Sequence, residues 1–283
     1  ALAATANAHG TVTGVVADGV YFPGYKTDYH YSGTIPKGVV GWSAENFDNG
    51  YVGGDQTTYT SPDINCHKNA KPAASSAKVA AGGTVAWQWT AWPDSHIGPV
   101  ITYAAHCGGD CSAVNKETLE WVKIEEAGYS NGKWAAIAMI ATNNTWTTTV
   151  PNDLAAGKYV FRHEIIALHG AQNPNGAQSY PQCINIEVTG SGTASPKGTL
   201  GSALYTAQDK GILFNPYTGT INYPIPGPAL MAGGSSGGSA PAPSASAAAS
   251  ASAAPAPSSA APAPNSAPSA TGAPAPSQPK PAT

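Results

Sequence analysis

A histidine next to glycine, a histidine in a proline-bracketed loop and a tyrosine two residues from a glutamine carry the chemistry that this chain's residue types allow. His9 follows Ala6-Asn7-Ala8, small residues of the Ala-x-Ala kind that precede a secretory cleavage point. A cut after Ala8 gives His9 a free α-amine beside its imidazole, and two nitrogens on one residue can chelate a metal. The plainer reading is that His9 opens a strand and its ring does nothing. His96 sits in Trp92-Pro93-Asp94-Ser95-His96-Ile97-Gly98-Pro99, where Gly and Pro aim a ring outward. His163 and His169 share strand parity in Tyr159–His169. His163, mid-strand among large apolar residues, reads as a satisfied core histidine, and His169 as core or site. In Gln178-Ser179-Tyr180-Pro181-Gln182-Cys183 the parity aims Gln178 and Tyr180 at one face. Tyr180 could equally be a packed ring with its hydroxyl bonded nearby. His30, His67 and His106 have nothing to separate them from loop histidines.

The chain that must position these groups has 283 residues of uneven composition. Residues 1–8 read as the remnant of a signal peptide, and residues 9–230 as one β-rich domain. Residues 231–283 are an Ala/Ser/Pro/Gly-rich tail with too little apolar surface to offset ordering entropy, hence a disordered tail. All 7 tryptophans and 13 tyrosines fall in the domain. A net charge of −3 with only 10% charged residues, and no basic stripe, excludes a nucleic-acid partner. No apolar run reaches membrane-spanning length. Scarce charge with many Gly, Asn, Ser and Thr suits a neutral, hydroxyl-rich partner surface. Four cysteines in a chain with a secretory scar point to disulfides. Cys107 and Cys111 are close enough to close a local loop, leaving Cys66 for Cys183, and zinc is the alternative for these thiols. Asn143-Asn144-Thr145 is a glycosylation sequon on Asn143, consistent with a secreted, extracellular protein.

The elements follow from alternation and turn residues. Thr11 to Val16 predicts a first strand ending at an Asp18-Gly19 turn. Tyr21 to Tyr31 reads as a ring-rich loop, with Tyr25, Tyr29 and Tyr31 as candidates for a binding face. A long irregular stretch runs to about Ser76. Gly82 to Thr90 is the clearest strand, with Val85, Trp87 and Trp89 on one side. Ser112 to Thr118 predicts a short helix. Further strands are expected at Leu119–Glu125, Lys133–Ile140, Thr145–Val150, Gly157–His169 and Cys183–Thr189. Arg162 and Glu164 share a parity opposite to His169 and read as an ion pair on the other face. The fold class is all-β, an immunoglobulin-like or fibronectin-like sandwich with long loops.

Taken together, His9-Gly10 after a cleavage point, Trp92–Pro99, Arg162–His169 and Gln178–Cys183 resemble the fungal lytic polysaccharide monooxygenases, specifically the cellulose-active auxiliary-activity family nine. The resemblance runs from His9 to Tyr223–Pro228. It implies a copper site, one ion per chain, held by the α-amine and ring of His9 and the ring of His96, with Tyr180 axial. His169 and Gln178 would stand beside it, orienting the oxygen co-substrate. Three nitrogens in one plane with a distant oxygen suit tetragonal Cu(II), and neighbouring donors orient such ligands. Tyr223 matches the family's exposed C-terminal tyrosine on a flat cellulose-binding face, and Tyr25 is the other candidate for that face.

The implied activity is oxidation of β-1,4-glucan at C1 or C4 by a monomer that takes electrons from an external donor and uses O2 or H2O2. While residues 1–8 remain attached, His9 has an amide and the site cannot form. A non-catalytic cell-wall-binding protein on the same scaffold is one alternative. The other is a glycoside hydrolase using two carboxylates among Asp94, Asp110, Glu120, Glu125 and Glu164.

Overall fold

Alternating burial builds two facing sheets. The computed structural model describes residues 9–54 and 58–237, so the expected leader 1–8 and the tail from 238 lie outside the described residues. One sheet contains β1 (Val12–Ala17), β2 (Val20–Pro23), β4 (Thr84–Trp89) and β9 (Thr145–Thr149), ordered β2-β1-β4-β9. The larger contains β3 (Ala77–Ala80), β5 (Val100–His106), β6 (Glu120–Ala127), β10 (Gly157–Ala167), β11 (Gln178–Thr189) and β12 (Thr199–Leu200), ordered β12-β6-β5-β10-β11-β3. A last strand, β13 (Leu230–Ser236), pairs with β6 in parallel, and β7 (Tyr129–Ser130) with β8 (Lys133–Trp134) forms a small hairpin. The architecture is the expected all-β sandwich.

Two cores hold it together. Between the sheets, Val15, Val85, Trp87 and Trp146 from the small sheet meet Ala104, Ile124, Phe161, Ile165 and Ile184 from the large one. On the outer face of the large sheet, Tyr103, Trp121 and Val160 are covered by Trp42, Tyr59, Ile64 and Tyr205 from the long loops. β10 is therefore buried on both faces, which is why its sequence shows no clean alternation. Cys66–Cys183 staples the first long loop to β11, and Cys107–Cys111 closes a four-residue separation, as the spacing suggested. All described cysteines are bonded, so none serves zinc.

The registers bring one end of the sandwich to a focus. The start of β1 lies beside the end of β4 (Val12 with Trp89). The start of β5 lies beside the end of β10 (Val100 with Ile165), and the end of β10 beside the start of β11 (Ala167 with Gln178). His9, His96, His169, Gln178 and Tyr180 all belong to these ends.

Four local expectations are corrected. Lys133–Ile140 is not a strand: β8 ends at Trp134 and α2 (Ala135–Ile140) follows, burying Ala135, Ala136 and Met139. Its Ala-rich run favours helix, and a short apolar run has no strand-specific period. Tyr21–Tyr31 is not all loop, since it holds the end of the edge strand β2 and the short helix α1 (Asp28–Ser32). Ser112–Thr118 is two 3₁₀ turns, capped by the side chains of Asp110 and Asn115. The domain does not stop at 230, because β13 continues it to Ser236 through backbone pairing to β6. Small residues that pair by backbone alone leave no periodic mark in the sequence.

Glu125 is buried between the sheets and accepts from Thr102 Oγ1 (3.1 Å), Trp146 Nε1 (3.0 Å) and Thr148 Oγ1 (2.5 Å). Burial pushes its pKa up to about 7 against the pull of these donors. The folded protein thus holds the Glu125 proton more tightly than the unfolded chain. The stability this provides is complete below the ordinary carboxylate range and is lost as pH rises toward 7. At roughly 1.4 kcal/mol per pKa unit, the loss is on the order of 3 kcal/mol. Thermal melts should show wild type losing more stability than Glu125→Gln between pH 4.5 and 7.5. Parallel curves for the two proteins would contradict this role of Glu125.

Candidate metal centre

Each ring reaches this end of the sandwich from a different element. His9 is half-buried on the segment leading into β1. His96 is buried in the connection that crosses from β4 to β5. That loop is closed by His96 N–H donating to Pro93 O (3.1 Å) and by Trp92 Nε1–H donating to His96 O (3.0 Å). Its far side lies against the end of β10, where Leu168 N–H, just past the strand, donates to Ile97 O (2.7 Å). Gly98 is required there, since a Cβ would stand 1.9 Å from Ile166 O. Tyr180 and Gln178 project from the start of β11 and His169 follows the end of β10.

The ring centroids of His9 and His96 are 5.8 Å apart at 83°, and Tyr180 lies 5.9 Å from His9 and 6.4 Å from His96. His169 stands 4.1 Å from His96. Ser95 Oγ hydrogen-bonds His96 Nδ1 (3.1 Å), which leaves Nε2 as the nitrogen available to a metal. Burial, then the neighbouring His169 and His9, pull the His96 pKa down to about 4, so the ring is neutral with a free lone pair. Burial and His9 lower His169 as well, and its Nδ1 is buried without a hydrogen-bond partner. Burial, with Tyr51 and Asp48 adding to it, raises the Tyr180 phenol far above its ordinary range, so it stays protonated. Its hydroxyl donates to Gln178 Oε1 (2.7 Å), so the amide N–H groups are the donors Gln178 has left.

Among the described residues no group of three or more His, Cys, Asp or Glu side chains is arranged to hold a metal. A third donor would have to come from elsewhere than these side chains, and the α-amine that cleavage before His9 would free is one such nitrogen, on a residue whose ring already faces His96. Two imidazoles, the amine that cleavage would free and a protonated phenol oxygen form a donor set that fits Cu(II).

The sequence pattern of Auxiliary Activity family 9 (formerly GH61) matches residues 9–223. The chain belongs to this family. It is 57% identical over 238 residues to AA9 family lytic polysaccharide monooxygenase D of Botryotinia fuckeliana, covering 82% of this chain and 96% of that one. It is 54% identical to AA9 family lytic polysaccharide monooxygenase A of Talaromyces verruculosus, covering 83% and 73%. Among solved structures, the extended catalytic domain of H. jecorina LPMO9A superposes with a TM-score of 0.76 at 46% identity, covering 83% of this chain and 97% of that domain. The family is copper-dependent and extracellular, and its activity is oxidative cleavage of polysaccharide with an external reductant. No helix among the described residues is long and apolar enough to cross a membrane.

Other sequence expectations fare differently. Tyr223 is not an exposed face residue. Its ring packs on Trp134 (4.9 Å) and Phe214 (5.0 Å), and its hydroxyl donates to Gly211 O (2.7 Å). An exposed tyrosine that does reach the centre of this AA9 chain is Tyr217, 63% accessible, whose hydroxyl donates to His169 O (3.1 Å). A Pro216-Tyr217-Thr218-Gly219 turn could have pointed to it. Tyr25 is half-buried and meets Tyr29 edge-on at 5.9 Å, away from the ring contacts of the centre. His163 is a core residue, stacked on Trp87 at 4.5 Å, with Nδ1 on Thr102 Oγ1. Asn143 is exposed at a left-handed turn position (φ 56°). Sequence reasoning missed Tyr51, 6.3 Å from His9 and 6.0 Å from Tyr180. It also missed His67 as the support of Tyr51's loop: Nε2 bonds Gly50 O (2.9 Å) while Lys68 N–H donates to Nδ1 (2.9 Å).

The carboxylates considered for hydrolysis are not assembled. Asp94, Asp110 and Glu120 are exposed at separate places, and Glu125 is in the core. Glu164 pairs with Arg162, with NH2 at 2.9 Å, and also accepts from Tyr205 and from Ser179 Oγ (2.5 Å). Ser179 lies between Gln178 and Tyr180, so this buried pair supports β11 from its outer face, as the parity of Arg162 and Glu164 implied. Removing one partner strands the other charge, at a cost of about 3–5 kcal/mol. Urea unfolding of Glu164→Ala should show a loss of that order. A loss below about 1 kcal/mol would mean that the pair carries no such strain on removal.

Proposed function

We propose that the mature, secreted protein begins at His9 and that the His9 α-amine and ring, the His96 ring and the Tyr180 hydroxyl would hold one copper ion. The substrate is cellulose or a related β-1,4-glucan, oxidised at C1 or C4, and the protein acts as a monomer. The carrying observation is the convergence of the rings of His9, His96 and Tyr180 from three separate segments, with His9 the half-exposed member. Copper, when bound, supplies the one-electron oxygen chemistry that side chains lack, fed by an external donor and O2 or H2O2.

The chain's own residues do the rest. Ser95 fixes the face of His96 that meets the metal. Tyr180 offers a neutral oxygen, and its bond to Gln178 turns the Gln178 amide donors outward to orient the co-substrate beside His169. Tyr217 offers an exposed ring next to the centre, where a sugar face can stack. That role replaces the one expected of Tyr223. Phe47, in ring contact with His30 (4.3 Å) and Tyr31 (5.8 Å), extends the exposed aromatic surface of the loops, and Tyr25 supports it through Tyr29. Asn143 is the N-glycan acceptor.

The test is mass spectrometry of the products from copper-loaded protein beginning at His9, given cellulose and a reductant. Aldonic acids or 4-keto sugars are expected, and His96→Ala should abolish them. Products that are all unoxidised, or that persist in His96→Ala, would refute the proposal.

A further inference from the structure

His9 lies on the segment that leads into the small sheet and Tyr180 is in the large one, and β1 makes its ladders with β2 and β4, not with β11. Backbone pairing therefore does not set the distance between these two residues. A side chain spans the gap. Thr11 Oγ1 donates to Gln182 Oε1 (2.9 Å), and Val12 N–H donates to the same oxygen (3.3 Å). The other end of the amide is fixed as well, with Gln182 Nε2 donating to Pro181 O (3.0 Å). That bond decides which amide atom faces β1. Gln182 shares strand parity with Gln178 and Tyr180, so all three project toward the inter-sheet side.

The same segment is held on its second side. Thr11 N–H donates to Thr90 Oγ1 (3.1 Å) and Thr90 N–H to Thr11 O (2.9 Å). Gly10 lies so close that a Cβ would stand 2.9 Å from Trp92 Cε3. Trp92 in turn bonds His96 O. Residues 10–12 are thus clamped between the loop that carries His96 and the strand that carries Tyr180, and a one-residue lever joins the clamp to His9.

We propose that Gln182 is a positioning residue, whose Oε1 ties the N-terminal segment to β11 and so holds His9 in register with Tyr180 and His96. The inference rests on the copper reading above. A ligand held in place by neighbouring hydrogen bonds loses about 10- to 100-fold in metal affinity when they are removed. An acceptor oxygen at this position is what the geometry demands, so Gln182→Glu keeps the function and Gln182→Ala or Gln182→Leu loses it.

The experiment uses the full chain beginning at His9. Copper affinity is measured by calorimetry, the Cu(II) spectrum by electron paramagnetic resonance, and Val12 amide exchange on the metal-free protein. In Gln182→Ala, copper should bind about tenfold more weakly, the copper hyperfine pattern should shift and Val12 should exchange faster. Gln182→Glu should restore all three. A merely structural defect would lower thermal stability without moving the spectrum or being rescued by the carboxylate. Wild-type affinity in both Gln182→Ala and Gln182→Leu, with normal copper binding by wild type, would overturn the positioning role and leave the copper reading intact. Failure of wild type itself to bind copper would overturn both.

Discussion

The separation between the two sheets sets the distances from His9 to the other residues of the candidate centre. His9 enters with the small sheet, Tyr180, Gln178 and His169 with the large one, and His96 on the connection that passes between them. A shift of one sheet against the other by an ångström would move the nitrogens apart while leaving each ladder intact. The interior opposes such a shift with large rigid rings, Trp87 and Trp146 among them, that are fully buried. Close-packed aromatics tolerate little sliding. Glu125 adds directional bonds, joining Thr102 and its own strand in the large sheet to Thr148 and Trp146 in the small one.

The chemistry of the surface follows from the same economy of charge. Arg162, Glu164 and Lys123, among the few ionised groups of the domain, are buried inside it. What remains outside at the centre is imidazole, phenol and amide. Such a surface meets a neutral polymer by stacking and hydrogen bonding, without attracting charged competitors, and needs no pocket to do so. The centre is assembled from strand ends and loops that the buried cores hold still.

Legibility in the sequence divided along physical lines. β4 was readable because Val85, Trp87 and Trp89 alternate with small or polar residues. The disulfides were readable from spacing and compartment. His9, His96 and Tyr180 could be named because each sits in a short motif with its own local chemistry, although only resemblance joined them. α2 was missed because Ala135–Ile140 is apolar throughout, and β13 because Gly and Ser pair through backbone alone. The tyrosines were the hardest case. Tyr217 and Tyr223 lie six residues apart in similar Pro- and Gly-rich surroundings, and the ring that turns inward is the one that packs on Trp134, far away in the chain, as well as on Phe214. Tyr51 and Gln182 escaped notice for the same reason, since their partners lie across the sandwich.

All of this leaves one residue, His9, whose chemistry depends on a bond outside the folded domain. Attached to Ala8 it offers a ring only, and freed from Ala8 it offers a ring and an amine. The decisive measurement is copper stoichiometry and affinity, by calorimetry, for the chain beginning at His9 and for the same chain retaining Ala8. The expected result is one tightly bound ion for the first and affinity weakened by orders of magnitude for the second. Equal affinity in the two would contradict the account, because the third nitrogen would then not be the amine of His9.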